Sequence, residues 1–362
     1  MFTGHGGTGA AEARALGRPV LDVSASIAPF SPPEAARLAY QRAAADLDRY
    51  PPIDGFPLRQ SLADSQGLDI DNVLAGGGTT EFIYLIPRTL RPGRVLGFVP
   101  TYRDYAEAAR LAGCAFVPLL TVWEQRFARD LAKLDAAARA QDLVFLCNPN
   151  NPTGDILAPD VIRGFCDRRP DVTVVVDEAY VEFAGIDRSC LDSTMPRNLL
   201  VLRSPTKFYA VPGIRLGYCL GRRDLIAALL DAKEPWTVSA PALAVGLALL
   251  NYSDYEARVR DVLGREKPAL ECMLAAIPGL SVCPGAANFL LCRIQADAPP
   301  AADLRAACLK QGLLIRDASN FEGLDSRYFR VAVRTGEENI RMARIIRDVL
   351  TGPRDSKIAC SI

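Results

Sequence analysis

Val172-Thr-Val-Val-Val-Asp177-Glu-Ala-Tyr180 is a run of five β-branched residues that ends on a carboxylate and, three residues later, a phenol. With no polar alternation, such a run fits a strand covered on both faces, as in parallel sheets sandwiched between helices. Val95-Leu-Gly-Phe-Val99, Leu143-Val-Phe-Leu146 and Leu199-Leu-Val-Leu202 read the same way, each followed by turn residues and then by helical periodicity. That order predicts an α/β fold with a mainly parallel mixed sheet, whose ligand sites gather at the strands' carboxyl ends. From about residue 254 to 276 the pattern becomes one long amphipathic helix. Beyond Pro284 it turns to strands, Asn288-Phe-Leu-Leu-Cys292 and Tyr328-Phe-Arg-Val-Ala-Val333, separated by a helix near 302–311. The expected organisation is an arm and small-domain segment over 1–35, a large domain over 36–250, a small α+β domain over 251–350 and a tail over 351–362.

Composition narrows the function classes. A chain of 362 residues with 49% hydrophobic side chains can bury a substantial core. Lys plus Arg and Asp plus Glu balance at 42 each, so no net field recruits nucleic acid or an anionic membrane. The ten cysteines form no C-x-x-C pair and the chain has one His, which argues against zinc and for reduced thiols. The first residues lack the basic-then-apolar pattern of a signal peptide, and no segment reaches eighteen uninterrupted apolar residues. A cytoplasmic protein is expected.

The polar motifs fall where the sheet ends. Ser204-Pro-Thr206-Lys207-Phe-Tyr-Ala-Val-Pro-Gly-Ile-Arg215-Leu-Gly-Tyr218 places an amine between hydroxyls and a guanidinium. An amine that condenses with an aldehyde cofactor needs the cofactor's phosphate anchored nearby, and Ser204, Thr206 and Arg215 can supply donors. The cofactor so implied is pyridoxal 5'-phosphate; a surface Lys and Arg flanking a loop is the plainer reading. Asp177, at the end of a buried strand, calls for a cationic partner, which a protonated pyridine nitrogen would be. A helix N-cap is the other role open to it. Leu146-Cys-Asn148-Pro-Asn150-Asn151-Pro-Thr-Gly154 fixes a side-chain amide by two Asn-Pro steps, so Asn151, with Tyr180, can donate to the cofactor's phenolate oxygen. Gly76-Gly77-Gly78-Thr79-Thr80 ahead of Glu81 is a strand-to-helix turn able to cradle an anion. Because Glu81 stands where a dinucleotide fingerprint has its last Gly, NAD is disfavoured. Tyr102, in Pro100-Thr-Tyr102, can stack on the ring or simply pack in the core.

Together these residues resemble the fold-type I pyridoxal phosphate enzymes of the class I and II aminotransferase group, over nearly the whole chain. Within it, His5-Gly-Gly, Leu21-Asp-Val-Ser-Ala-Ser26-Ile, Arg49-Tyr50-Pro51, Pro235-Trp236 and Ile315-Arg316-Asp-Ala-Ser-Asn-Phe321 are similar to the L-threonine-O-3-phosphate decarboxylases of cobalamin biosynthesis, relatives of the histidinol-phosphate aminotransferases. The resemblance implies a large domain and a small one, with Arg330 holding the amino acid's carboxylate and Arg316 and His5 placed near a distal phosphate. A loosely ordered start is the plain alternative for His5. It also implies Tyr50 reaching the neighbouring subunit's cofactor phosphate, and so a homodimer.

Decarboxylation and transamination share these groups. They differ in whether the carboxylate or the hydrogen on Cα stands perpendicular to the cofactor ring, an angle the residues do not reveal. Decarboxylation of a phosphorylated amino acid is therefore an expectation from resemblance, with aminotransfer as its rival. A cofactor-sensing regulator is disfavoured because the first thirty residues are too short and insufficiently basic for a DNA-binding module. Thr8, Ala28, Gly77 and Ser239 stand where the resemblance expects Asn. The expectation is that four amides are missing around one pocket, which makes a different amino acid, or a different reaction on the same cofactor, credible.

Overall fold

The computed structural model describes residues 10–192, 195–250 and 252–352. Seven strands build the main sheet: β2 (Val73–Gly76), β3 (Arg94–Val99), β4 (Ala115–Leu120), β5 (Leu143–Cys147), β6 (Thr173–Asp177), β7 (Leu199–Arg203) and β8 (Gly217–Gly221). Their order is β2-β8-β7-β6-β5-β3-β4. Strands β4, β3, β5, β6 and β7 run parallel, and β8 alone is reversed, antiparallel to both β7 and β2. The mainly parallel sheet read from the sequence is present.

Alternation within the buried runs explains how the sheet is sandwiched. Val95, Leu143, Phe145, Cys147, Val175, Leu200 and Leu202 pack with Phe82, Ile83 and Tyr105 on one face. Leu96, Phe98, Val144, Leu146, Val174, Val176, Leu199 and Val201 pack with Ile162 and Phe165 on the other. Successive side chains of a strand point to opposite faces, so Asp177, two residues after Val175, is delivered to the face of Tyr105. β4 lies outside β3, and the chain then returns to lay β5 on the other side of β3. The crevice at that reversal, beyond the carboxyl ends, is where open α/β sheets bind ligands.

A second sheet, ordered β12-β13-β10-β9, comes from β9 (Leu280–Cys283), β10 (Phe289–Ile294), β12 (Arg316–Asp317) and β13 (Tyr328–Ala332), all antiparallel. The long helix spans Ser253–Ala275 and the shorter one Ala301–Lys310, within a residue of their expected ends. Near the chain's start, β1 (Leu21–Asp22) pairs in parallel with β11 (Leu313–Leu314). The next residue, Val23, donates its N–H to Leu314 O and accepts from Ala332 N–H, both at 2.9 Å. The strip from Leu21 to Ile27 is thereby sewn to the C-terminal elements and arrives beside the main sheet, where Ala28 N–H bonds Lys207 O at 2.9 Å. No helix among the described residues is long and apolar enough to cross a membrane.

Candidate active site

Five strand ends converge on one cavity of ≈ 560 Å³, within the usual range for small-molecule sites. Its walls include Thr79 and Thr80 after β2, Tyr102 after β3, Cys147 and Asn151 at β5, Asp177 and Tyr180 at β6, and Lys207 after β7. The strip Asp22 to Ile27 and Arg330 of β13 close it from the second sheet's side. Residues up to 308 positions apart in the chain thus meet in one space.

Asp177 is 4% exposed. Burial pushes its carboxyl above the usual value, while the Tyr105 hydroxyl and the charge of Lys207 hold it down. Tyr105 donates to Oδ2 at 2.8 Å and the Ala179 N–H to Oδ1 at 3.2 Å. Tyr105 is itself locked by stacking on Phe145, centroids 4.7 Å apart and planes within 5°. Lys207 ends its side chain 3.4 Å from Ser204 Oγ. Burial lowers its pKa, with Asp177 pulling it back up and Arg215 pushing it further down. A lysine so placed carries more of the neutral amine that attacks a carbonyl.

The anion cradle lies at the same end. Ser204 Oγ and Thr206 Oγ1 share a 2.7 Å bond. The turn at Gly78 has φ 102°, and a Cβ there would stand 2.6 Å from the Arg215 guanidinium, so only glycine lets the cation approach the turn. Gly217, the first residue of β8, has equally little room: a Cβ would meet Thr79 N at 2.5 Å. The free amides of the helix Thr79–Leu90 and these hydroxyls and cation form one donor set.

Asn151 is oriented by Arg330, which donates from Nη1 to Asn151 Oδ1. A guanidinium only donates, so the oxygen must face it, leaving the amide N–H₂ for another acceptor. Arg330 also donates from Nη2 to Ser24 O at 3.1 Å, while its buried Nε has no partner among the described residues. Burial pushes Tyr180 up to about 12. Arg316 faces Arg330 across β12 and β13. Burial, then the charge of Arg330, press its pKa down to about 10. Arg316 also bonds Asn320 Oδ1 at 2.7 Å. Tyr102 is bonded to the Thr80 and Asp104 side chains.

Tyr50 is not brought into the cavity: it is 84% exposed, its ring 5.1 Å from that of Trp236. His5 and Thr8 lie outside the described residues. Ala28, Gly77 and Ser239 are not among the residues that line the cavity. Ala28 is buried against the Lys207 backbone, Gly77 lies in the cradle turn, and Ser239 caps the helix Ala240–Leu249 by accepting from Ala242 N–H. Ser and Asn cap helices about equally well, so at 239 the exchange is conservative. Two residues of consequence escaped the sequence reading. One is Tyr105. The other is Arg129, which donates to Cys147 O at 2.8 Å and Asn148 Oδ1 at 2.9 Å and pairs with Asp155 at 2.6 Å, clamping the turn that carries Asn151. Neither stands in a recognisable spacing with its partners.

This set suits a planar aldehyde with a phosphate tail: a buried acid for a ring cation, an amine for the aldehyde, and a glycine-lined cradle for the phosphate. The family model for aminotransferase class I and II matches residues 18–346. Threonine-phosphate decarboxylase of Salmonella typhimurium is 34% identical over 359 residues, covering 96% of this chain and 97% of that one. Histidinol-phosphate aminotransferase 2 of Archaeoglobus fulgidus is 34% identical over 334 residues, 91% and 93% of the two chains. The crystal structure of L-threonine-O-3-phosphate decarboxylase from Porphyromonas gingivalis superposes with TM-score 0.83 at 26% identity, covering 90% of this chain and 98% of that one.

Proposed function

The chain belongs to the class I and II aminotransferase family and is a pyridoxal phosphate enzyme, and from that premise we propose that it decarboxylates a phosphorylated amino acid such as L-threonine O-3-phosphate. The observation that carries the substrate class is the pair Arg316 and Arg330. Two buried guanidiniums on adjacent strands, one depressing the other's pKa, suit a substrate with two anionic groups. The Nε of Arg330, without a partner among the described residues, would be a donor for the carboxylate, and Arg316 would serve the distal phosphate together with His5.

Bound pyridoxal phosphate supplies a protonated ring that takes up the electron pair of the bond broken at Cα. The protein's part is positioning and proton control. Asp177 keeps the ring nitrogen's proton in place, and Tyr105 keeps Asp177 ionised. Asn151 and Tyr180 would donate to the ring's phenolate oxygen. Gly78, Thr79, Thr80, Ser204, Thr206 and Arg215 would hold the phosphate, aided by Tyr50 of a second copy in a homodimer, and Tyr102 would cover the ring. Lys207 would anchor the aldehyde and, as a free amine, would carry protons at Cα.

Similarity to the Archaeoglobus aminotransferase over 91% of the chain supports a second reading, aminotransfer on a phosphorylated amino acid. Incubating the holoenzyme with L-threonine O-3-phosphate separates the two. Release of CO2 with 1-amino-2-propanol phosphate is the expected result. A keto product that needs 2-oxoglutarate for turnover would establish the aminotransferase instead.

A further inference from the structure

A buried ion pair beneath the anion cradle has no place in the roles assigned so far. Glu81 is the third residue of the helix Thr79–Leu90, in the turn whose amides face the anion. Its carboxylate reaches back beyond the cap residue: Gly77 N–H donates to Oε2 at 2.5 Å, and the Thr237 hydroxyl donates to Oε1 at 3.0 Å. The Lys233 ammonium lies 3.0 Å from the same Oε1 and also donates to Thr237 Oγ1. The Lys233 and Glu81 side chains are only 7% and 15% exposed.

An acid in a helix's first turn favours the helix, but it also repels the phosphate that the turn is to receive. At this burial the repulsion is poorly screened by salt. Glu81 withdraws the Gly77 amide for its own use and leaves those of Thr79 and Thr80, which have no acceptor within the helix. We propose that Lys233 is a positioning residue for the cofactor's phosphate. It cancels the charge of Glu81 and, through Thr237, pins the carboxylate under Gly77, so that the turn stays shaped while presenting no net negative charge. The inference rests on the reading of this cradle as the phosphate site.

The test titrates apoenzyme with pyridoxal phosphate, following the visible band, alongside thermal melting of the apoenzyme. Lys233→Met, which leaves Glu81 uncompensated, should weaken cofactor affinity by at least about tenfold. The double variant Glu81→Gln/Lys233→Met should recover to within about threefold of wild type, and Lys233→Arg should retain affinity, since charge is what matters. Glu81→Gln alone should bind the cofactor as well as wild type or better, a prediction that survives even if Lys233→Met fails to fold. Wild-type affinity in Lys233→Met, a double variant as weak as the single, or a weakened Glu81→Gln would each overturn the proposal. If wild-type apoenzyme takes up no cofactor and borohydride fixes none to Lys207, the phosphate-site reading falls with it; normal wild-type uptake with unchanged variants sinks this inference alone.

Discussion

Asp177 is buried deeply enough that its ionised form depends on a few donors, and the Tyr105 hydroxyl is the foremost of them. Tyr105→Phe removes a hydrogen bond to a charged group, on the order of 1.5–3 kcal/mol, or about one to two pH units of carboxyl pKa. The carboxyl pKa rises, so the acidic limb of the pH–activity profile should move up by that amount; a profile superposable on wild type would contradict the role. Arg330→Lys keeps the charge but loses the planar fork, and should raise KM for the amino acid roughly ten- to a hundredfold in steady-state kinetics. That Lys207, Asp177 and Asn151 would come together was legible because each sits in a short motif at a strand's end, and all three line the cavity. Tyr105 was not, because a phenol in an amphipathic helix looks like core and its partner is 72 residues away. Arg316 and Arg330 were named only through resemblance, since nothing in the two-residue strand at Arg316 announces that it will pair with the next one and set the two arginines side by side.

Among elements, the central strands announced themselves by unbroken apolar runs, whereas β4 and β8 did not. β4 carries Pro118, which an internal strand would not tolerate but the sheet's edge does. β8 is short and begins and ends on glycine, a composition that reads as turn. Yet this reversed strand carries Arg215 to the cradle, because its first residue pairs with Gly76, the last of β2. Gly217→Ala would drive a methyl into the backbone at Gly78 and Thr79. The expected result is a loss of about 1–3 kcal/mol of stability in denaturant unfolding, together with weaker cofactor retention on gel filtration. Full retention would mean that the turn can shift without consequence.

At the scale of the whole molecule, the sequence indicated a main sheet with a site at its strands' carboxyl ends and a second group of strands, but not that the opening strip would be stitched into the latter. Pairings of that separation leave no periodic trace. Tyr50, exposed on this chain, completes the site only if a second copy lends it. Mixing and refolding two inactive variants, Tyr50→Ala and Lys207→Ala, should then restore activity that neither parent shows, because one hybrid site regains both groups. Silence from the mixture would place Tyr50 outside the reaction. The strip from Leu21 to Ile27 also bears on biosynthesis. It leaves the ribosome before the main sheet, but its hydrogen-bonding partners Gly312, Leu314 and Ala332 are translated only after that sheet. A nascent chain can therefore finish the central sheet while the cavity still lacks the wall that the strip and Arg330 form.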